Sequence, residues 1–360
     1  MNTISPAANI VAFATYTVDL PGRQQGAAYS MKIEAFSEGK NLDAPEANED
    51  QFLVLPGRAY AVLDGCTDIS GRLYDGMRAG RLASRIAAKV VAEIVLDSTG
   101  LDLQPQTFIE PISTAFRDCY ARHGLLEAAR GDPARRFGST LTLAVDLGEV
   151  FRFVLIGDSG LRINGTECFV NDTVLDIVTA GLRVTAHHFV ADAGGDAEGR
   201  AELGRACAFY GAARIHAEML PWVDEPRRRL LYERSLAWCR ARLPAIPEAD
   251  IRRVLDTGIS GQTYFQNSEA GPLSYAALDG FAIPMSLVQV IDRPRATIHS
   301  IELYTDGYFK PGATPAVADW ETSFAEVERM DPEKIGPYPS VKGSTDRMHT
   351  DDRTVVIVHP

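Results

Sequence analysis

Two strand pairs with two helix patterns between them constrain this 360-residue chain more than any other feature. QFLVLPGRAYAVL, residues 51–63, reads as two short strands turning at Pro56-Gly57. A helix is expected over 74–96, where Leu82, Ile86, Val90 and Ile94 recur every four residues and give one apolar face. A second follows Pro105, with Phe108, Ile112, Phe116 and Tyr120 on one stripe and Gly124 marking its end. Residues 139–145 and 151–156 then make another hairpin across DLGE. A parallel doubly wound sheet would alternate strand and helix. The observed order suits an α+β layered fold in which helices cover antiparallel sheets.

Residues 180–258 change character. They are rich in Ala, Arg, Glu and Leu, with helical stretches near 199–219, 226–243 and 248–255. Strand patterns resume over 297–304 and 354–358, with a helix pattern at 316–329 between them. The central stretch therefore reads as a helical insertion in a single domain spanning 1–360, and a separate helical domain is the plainer alternative. Hydrophobic content of 46% and charged content of 23% suit a globular chain with an ample core. The net charge of -12 argues against a nucleic-acid partner. No run approaches the roughly 20 apolar residues of a membrane span, and the N-terminus lacks the basic start of a signal peptide. The expectation is a cytoplasmic protein with no membrane partner. Five cysteines without CxxC spacing read as reduced core thiols, and the sequons at Asn164 and Asn171 as chance matches.

Four strand patterns carry acids at their ends: AVLDG, FVLIGDSG, ELYTDGYF and DDRTVVIV. Hard divalent cations take oxygen ligands. A pair of them needs one bridging carboxylate and others beside it, and can activate water for attack on phosphorus. Strand ends suit this work, because the sheet fixes the backbone while the turn leaves the acid exposed. Glycine after the acid, as in Asp64-Gly65 and Asp306-Gly307, lets a backbone carbonyl come close to a metal.

NEDQF (48–52), AVLDG (61–65), GSTLTLAV (138–145), FVLIGDSG (153–160), ELYTDGYF (302–309) and DDRTVVIV (351–358) occur in that order. Together they resemble the ordered motif set of the metal-dependent protein phosphatases, the protein phosphatase 2C family, over residues 48–165 and 272–360. The resemblance implies a four-layer α-β-β-α sandwich, two antiparallel sheets flanked by helices, with two Mn2+ or Mg2+ ions in a cleft at one end. It implies that Asp64 bridges the ions, that Gly65 lends its carbonyl and that Glu49 completes the second ion's shell. Asp306 and Asp351 would flank the first ion, and Asp50 would orient metal-bound water. Asp158 would hold a possible third ion with Asp306. Asp64 and Asp306 would then act in catalysis through metal-bound water, and the partner would be a phosphorylated protein.

Three departures accompany the resemblance. Cys66 stands where some members carry a histidine, and reads as a small buried filler. No arginine occurs from Gln24 through Gln51 to grip phosphate. Lys40, Arg72, Arg135 and Arg136 are candidates only by charge, each read as solvated surface. The long insertion replaces the usual flap. Asp68 and Asp75 read as turn caps. His187-His188 cannot both face one metal, and His123 and His216 read as surface. No GxSxG elbow or P-loop is present. The expected function is a phosphomonoester hydrolase, most simply a protein serine/threonine phosphatase. The alternatives are a phosphatase-like regulatory binding module and an enzyme acting on a small phosphorylated metabolite.

Overall fold

In the computed structural model the described residues are 14–20, 29–66, 71–98, 103–171, 174–215, 222–269 and 271–360. Asp68, His216 and the end of the helix expected over 199–219 lie outside them. In chain order the elements begin with β1 (Ala14–Leu20), β2 (Tyr29–Glu38), β3 (Gln51–Leu55) and β4 (Ala59–Leu63). Helices α1 (Ala79–Asp97), α2 (Pro105–Arg122) and α3 (Leu126–Gly131) follow. Next come β5 (Leu141–Asp146), β6 (Val150–Ile156), β7 (Gly160–Ile163) and β8 (Glu167–Phe169). The helices α4 (Val174–Asp192), α5 (Ala197–Tyr210), α6 (Glu225–Arg242) and α7 (Glu248–Thr257) then run together. The chain closes with β9 (Gln289–Pro294), β10 (Ile301–Tyr304), α8 (Val317–Met330) and β11 (Arg353–His359).

Among the described residues, every pairing between these strands is antiparallel. One sheet has six strands in the order β1-β2-β11-β10-β7-β8, the other five in the order β3-β4-β5-β6-β9. Alternation along each strand sends side chains to opposite faces, and this builds the layers. Met31, Ile33, Tyr60, Val62, Phe153, Leu303 and Val356 meet between the sheets. The other face of the five-stranded sheet, with Ala61, Leu63, Leu143 and Val154, packs on α1 and α2. The other face of the six-stranded sheet, with Phe36, Val355 and Ile357, packs on Trp320 of α8. The result is the expected α+β sandwich of two antiparallel sheets flanked by helices. Helices α4 to α7 share a separate apolar core around Leu182, Leu203, Cys239 and Leu255.

Several local expectations need correction. Helix α1 begins at Ala79, not Tyr74, because residues 74–77 close a turn. Tyr74 and Met77 exchange both backbone hydrogen bonds, at 2.7 and 2.9 Å, and Asp75 takes a φ of 52°. Its buried face is Leu82, Ala83, Ala87, Val91 and Val95, with Ile86, Val90 and Ile94 only half-buried. Two alanines let the helix lie close to the sheet, which turns the face by one residue. The strand expected at 297–304 shortens to Ile301–Tyr304, because Arg295–Thr297 forms a 3-10 turn. Cys119, Cys207 and Cys239 are buried as expected of core thiols, but Cys66 and Cys168 are exposed. Among the described residues, no helix is long and apolar enough to cross a membrane.

Candidate metal centre

Asp64 follows β4, and its backbone is fixed from both sides by Thr140. Its N–H donates to Thr140 Oγ1 at 2.9 Å, and its carbonyl accepts from the Thr140 N–H at 2.8 Å. Thr140 Oγ1 also lies 2.7 Å from Ser159 Oγ, while Thr142 Oγ1 donates to the Ser159 carbonyl at 2.9 Å. Three motifs, AVLDG, GSTLTLAV and GDSG, are thereby tied together. A Cβ at Gly65 would sit 2.3 Å from the Gly80 carbonyl oxygen and 2.8 Å from that of Glu49. One at Gly307 would sit 2.1 Å from the Asp352 carbonyl oxygen. Each glycine after an acid is therefore required by close packing against a neighbouring motif.

Glu49 and Asp50 are almost fully buried, at 1% and 2% exposure. Ser84 Oγ of α1 donates to the Glu49 carbonyl at 2.6 Å, and Arg81 to the Asn48 carbonyl at 3.0 Å. The carboxylate of Asp352 accepts the N–H groups of Glu49 (3.2 Å) and Lys40 (2.6 Å). Asp50 Oδ2 accepts from Thr305 Oγ1 at 2.7 Å, and Thr305 Oγ1 accepts from the Thr354 N–H at 2.9 Å. Asp50 Oδ1 is buried without a hydrogen-bond partner among the described residues. These bonds join NEDQF to ELYTDGYF and DDRTVVIV.

The carboxylates crowd one another. Desolvation, then the charges of Asp306, Asp50, Asp351 and Asp158, push the Asp64 carboxyl well above its ordinary range. Asp306 is exposed, yet desolvation by the groups around its carboxyl, then Asp351 and Asp158, push it the same way. Asp50 is pushed up to about 7 by burial first and by Asp352 second. Asp351 goes the other way. Burial opposes its charge, but Lys342 and Lys40 hold its carboxyl well below the ordinary range. Lys40 Nζ lies 2.9 Å from Asp351 Oδ1, and Lys342 Nζ 2.7 Å from Asp351 Oδ2.

The structure thus brings Asp50, Asp64, Asp158, Asp306 and Asp351 within reach of each other's charge, with Gly65 and Glu49 held against α1. Among the described residues, no three acidic, histidine or cysteine side chains already converge as a finished ligand set. The donor set nevertheless fits hard divalent cations. It is all oxygen and strongly negative, and it includes Asp50 Oδ1, buried with no hydrogen-bond donor among the described residues.

Some residues were not foreseen. Lys40 is not the solvated surface cation its sequence context suggests. Its side chain is 13% exposed and also pairs with Glu49 at 3.4 Å and Asp352 at 3.3 Å. Arg136 is likewise not solvated: it binds buried Asp279 at 3.0 Å and stacks over Phe281. Arg72 and Arg135 are exposed as expected. Asp352 was legible as the second acid of its motif, whereas Lys342 carried no signal. Asp176, in the first turn of α4, is pushed up to about 7 by burial and then by Asp158. Helix α4 therefore contributes an acid to the cluster. Cys66 is exposed rather than a buried filler. Desolvation and then Asp64, Asp158, Glu49 and Asp306 push its thiol up, which keeps it from thiolate chemistry. His187 is buried and binds Glu333 at 2.8 Å, and His123 is half-buried against Tyr74 rather than surface.

Two face-to-face antiparallel sheets, outer helices and carboxylates gathered at strand ends define the class of the molecule. Among solved structures, the chain is similar to bacterial serine/threonine phosphatases. PstP/Ppp of Mycobacterium tuberculosis matches at 18% identity and a TM-score of 0.42, over 91% of this chain and 98% of that one. The PstP catalytic domain in complex with 2 manganese ions matches at 18% and 0.41, over 91% and 97%. Stp1 of Staphylococcus aureus matches at 10% and 0.39, over 95% and 99%. No protein-family model matches the chain, and no curated protein does. Likenesses this distant leave function to the chain's own residues.

Proposed function

We propose that the protein hydrolyses phosphomonoesters with the aid of divalent cations, Mn2+ or Mg2+, and that its substrate is phosphoserine or phosphothreonine on a protein. One observation carries the reading: Asp50, Asp64 and Asp306, from separate motifs, gather where burial and the surrounding carboxylates, Asp351 among them, raise their pKa values. Like charges brought together in a desolvated place cost stability unless a cation balances them.

In this reading Asp64 would be shared between two ions. Glu49 and the Gly65 carbonyl would help hold one, Asp306 and Asp351 would help hold the other, and Asp158 with Asp306 would offer a third position. When bound, such cations neutralise phosphate charge and lower the pKa of water. Asp50 would accept a hydrogen bond from water through Oδ1 while Thr305 holds its other oxygen. The Thr140–Ser159 contact keeps Asp64 and Asp158 in fixed relation, so the site needs little reorganisation.

The pairing of Asp351 with two lysines favours a second reading, a phosphatase-like binding module in which ammonium groups stand in for ions. Hydrolysis of a phosphothreonine peptide and of p-nitrophenyl phosphate, with Mn, with Mg and with EDTA, separates the two. The enzyme reading expects turnover with Mn or Mg and none with EDTA. Turnover of neither compound at any metal concentration overturns it in favour of the binding module.

A further inference from the structure

We propose that Lys342 is the residue that pairs with the substrate's phosphate group, and that it moves there from Asp351 when a divalent cation takes that carboxylate. The proposal rests on the hydrolase reading above. Two ammonium groups reach the acid cluster, and they differ in kind. Lys40 is 13% exposed and is gripped by Glu49, Asp351 and Asp352, so it is committed to holding the acids together. Lys342 is 40% exposed, and Asp351 is its one ion-pair partner among the described residues. Its charge also acts on Asp306 and Asp176, which puts it beside the same cluster.

The segment that carries Lys342, between α8 and β11, is held firmly. The Asp331 carboxylate accepts the N–H groups of Ile335 (3.0 Å), Gly336 (2.9 Å) and Tyr338 (3.0 Å). From α4, the Arg183 guanidinium donates to the carbonyls of Lys334 and Ser340 at 3.1 Å each and of Glu333 at 2.8 Å. Gly343, next to Lys342, fits because it lacks a side chain. A Cβ there would lie 2.5 Å from the Glu333 carbonyl oxygen and 2.8 Å from Arg183 Nη2. Helix α4 thus anchors the backbone that delivers Lys342, while its half-exposed side chain is held at its tip by Asp351.

Charge drives the exchange. A dication at Asp351 repels an ammonium group that sits on the same carboxylate. A phosphomonoester dianion arriving over the centre offers that ammonium a new charge-assisted hydrogen bond. No bond is made or broken in the exchange.

The test uses the full chain loaded with Mn, as wild type, Lys342→Met and Lys342→Arg, each checked for folding by thermal melting. KM and kcat are read on a phosphothreonine peptide, and the Kd values for Mn and for inorganic phosphate by calorimetry. Losing one charge-assisted hydrogen bond should raise KM and the phosphate Kd of the Met variant about tenfold, with a smaller change in kcat. Arg should restore most of it, and Mn should bind the Met variant equally or more tightly, because a competing cation has gone. Unchanged KM and phosphate Kd, or Mn binding weakened in step with activity, would overturn the proposal. If the wild type turns over nothing, the hydrolase reading fails separately, and phosphate binding still decides. Mn-dependent phosphate binding lost in the Met variant supports Lys342, and a wild type that binds no phosphate refutes it.

Discussion

Asp64 shows how single residues are prepared for a charged task. Its main chain is locked by Thr140 while its carboxyl is pushed up by its neighbours. Asp64→Asn should fold, raise the melting temperature of the metal-free protein and lower kcat by more than about a hundredfold, because an amide cannot bridge two dications. Steady-state assays and thermal melting check it, and a loss of only a few-fold in kcat removes the bridging role. The same crowding sets a pH dependence. Asp64, Asp306 and Asp50 have folded pKa values above their unfolded ones, so the folded state binds protons more tightly. Their stabilisation is greatest at low pH and is lost as pH rises from the ordinary carboxylate range through the raised values, about 7 for Asp50. The metal-free protein should therefore melt at a higher temperature near pH 6 than near pH 8, and less so in Asp64→Asn; calorimetry in EDTA reads this. At this scale the acids were legible because their motifs keep order along the chain. Lys40 was not, since its partners Asp351 and Asp352 lie some three hundred positions away and only the folded sheet brings them near.

Among the elements, hairpins were the easiest to read. Pro56-Gly57 and DLGE sit between apolar runs, and β3–β4 and β5–β6 formed there. Helix α2 also kept its stripe, with Phe108, Ile112, Phe116 and Tyr120 all fully buried. Helix α4 is poorly marked in the sequence because it carries four Val and two Thr, weak helix formers, with Gly181 in its interior. The glycine has a packing reason: a Cβ there would lie 2.4 Å from the Trp238 ring of α6. Strand β9 was hidden because it is an edge strand with half-buried and exposed residues in turn and no apolar run. The alternation of buried Met31, Ile33 and Ala35 in β2 was there to be read, but polar residues between them mask it. The junction of β4 with α1 is tight enough to predict its failure. Gly65→Ala should cost about 1–3 kcal/mol in urea unfolding and weaken Mn binding, because a methyl group forces Gly80 and Glu49 apart. Unchanged stability would mean that the close approach has room to relax.

At the scale of the whole molecule, α4 to α7 stand between strands of the same two sheets, and their sequence announced helices but not their purpose. What links them to the acids is a set of contacts invisible in sequence: Arg183 and His187 on the segment that carries Lys342, and Asp176 beside Asp158. We regard these helices as an insertion that shapes substrate choice. Arg183→Met should therefore raise hydrogen exchange over 331–344 and raise KM for a phosphopeptide, while Mn binding changes little. Unaltered exchange would show that Asp331 alone holds the segment. The proposed hydrolysis requires that the gathered carboxylates bind divalent cations, which a calorimetric Mn titration of wild type beside Asp64→Asn measures. About two ions should bind per wild-type chain, with a clear loss in the variant. No binding to the wild type, or equal binding to both, would contradict it.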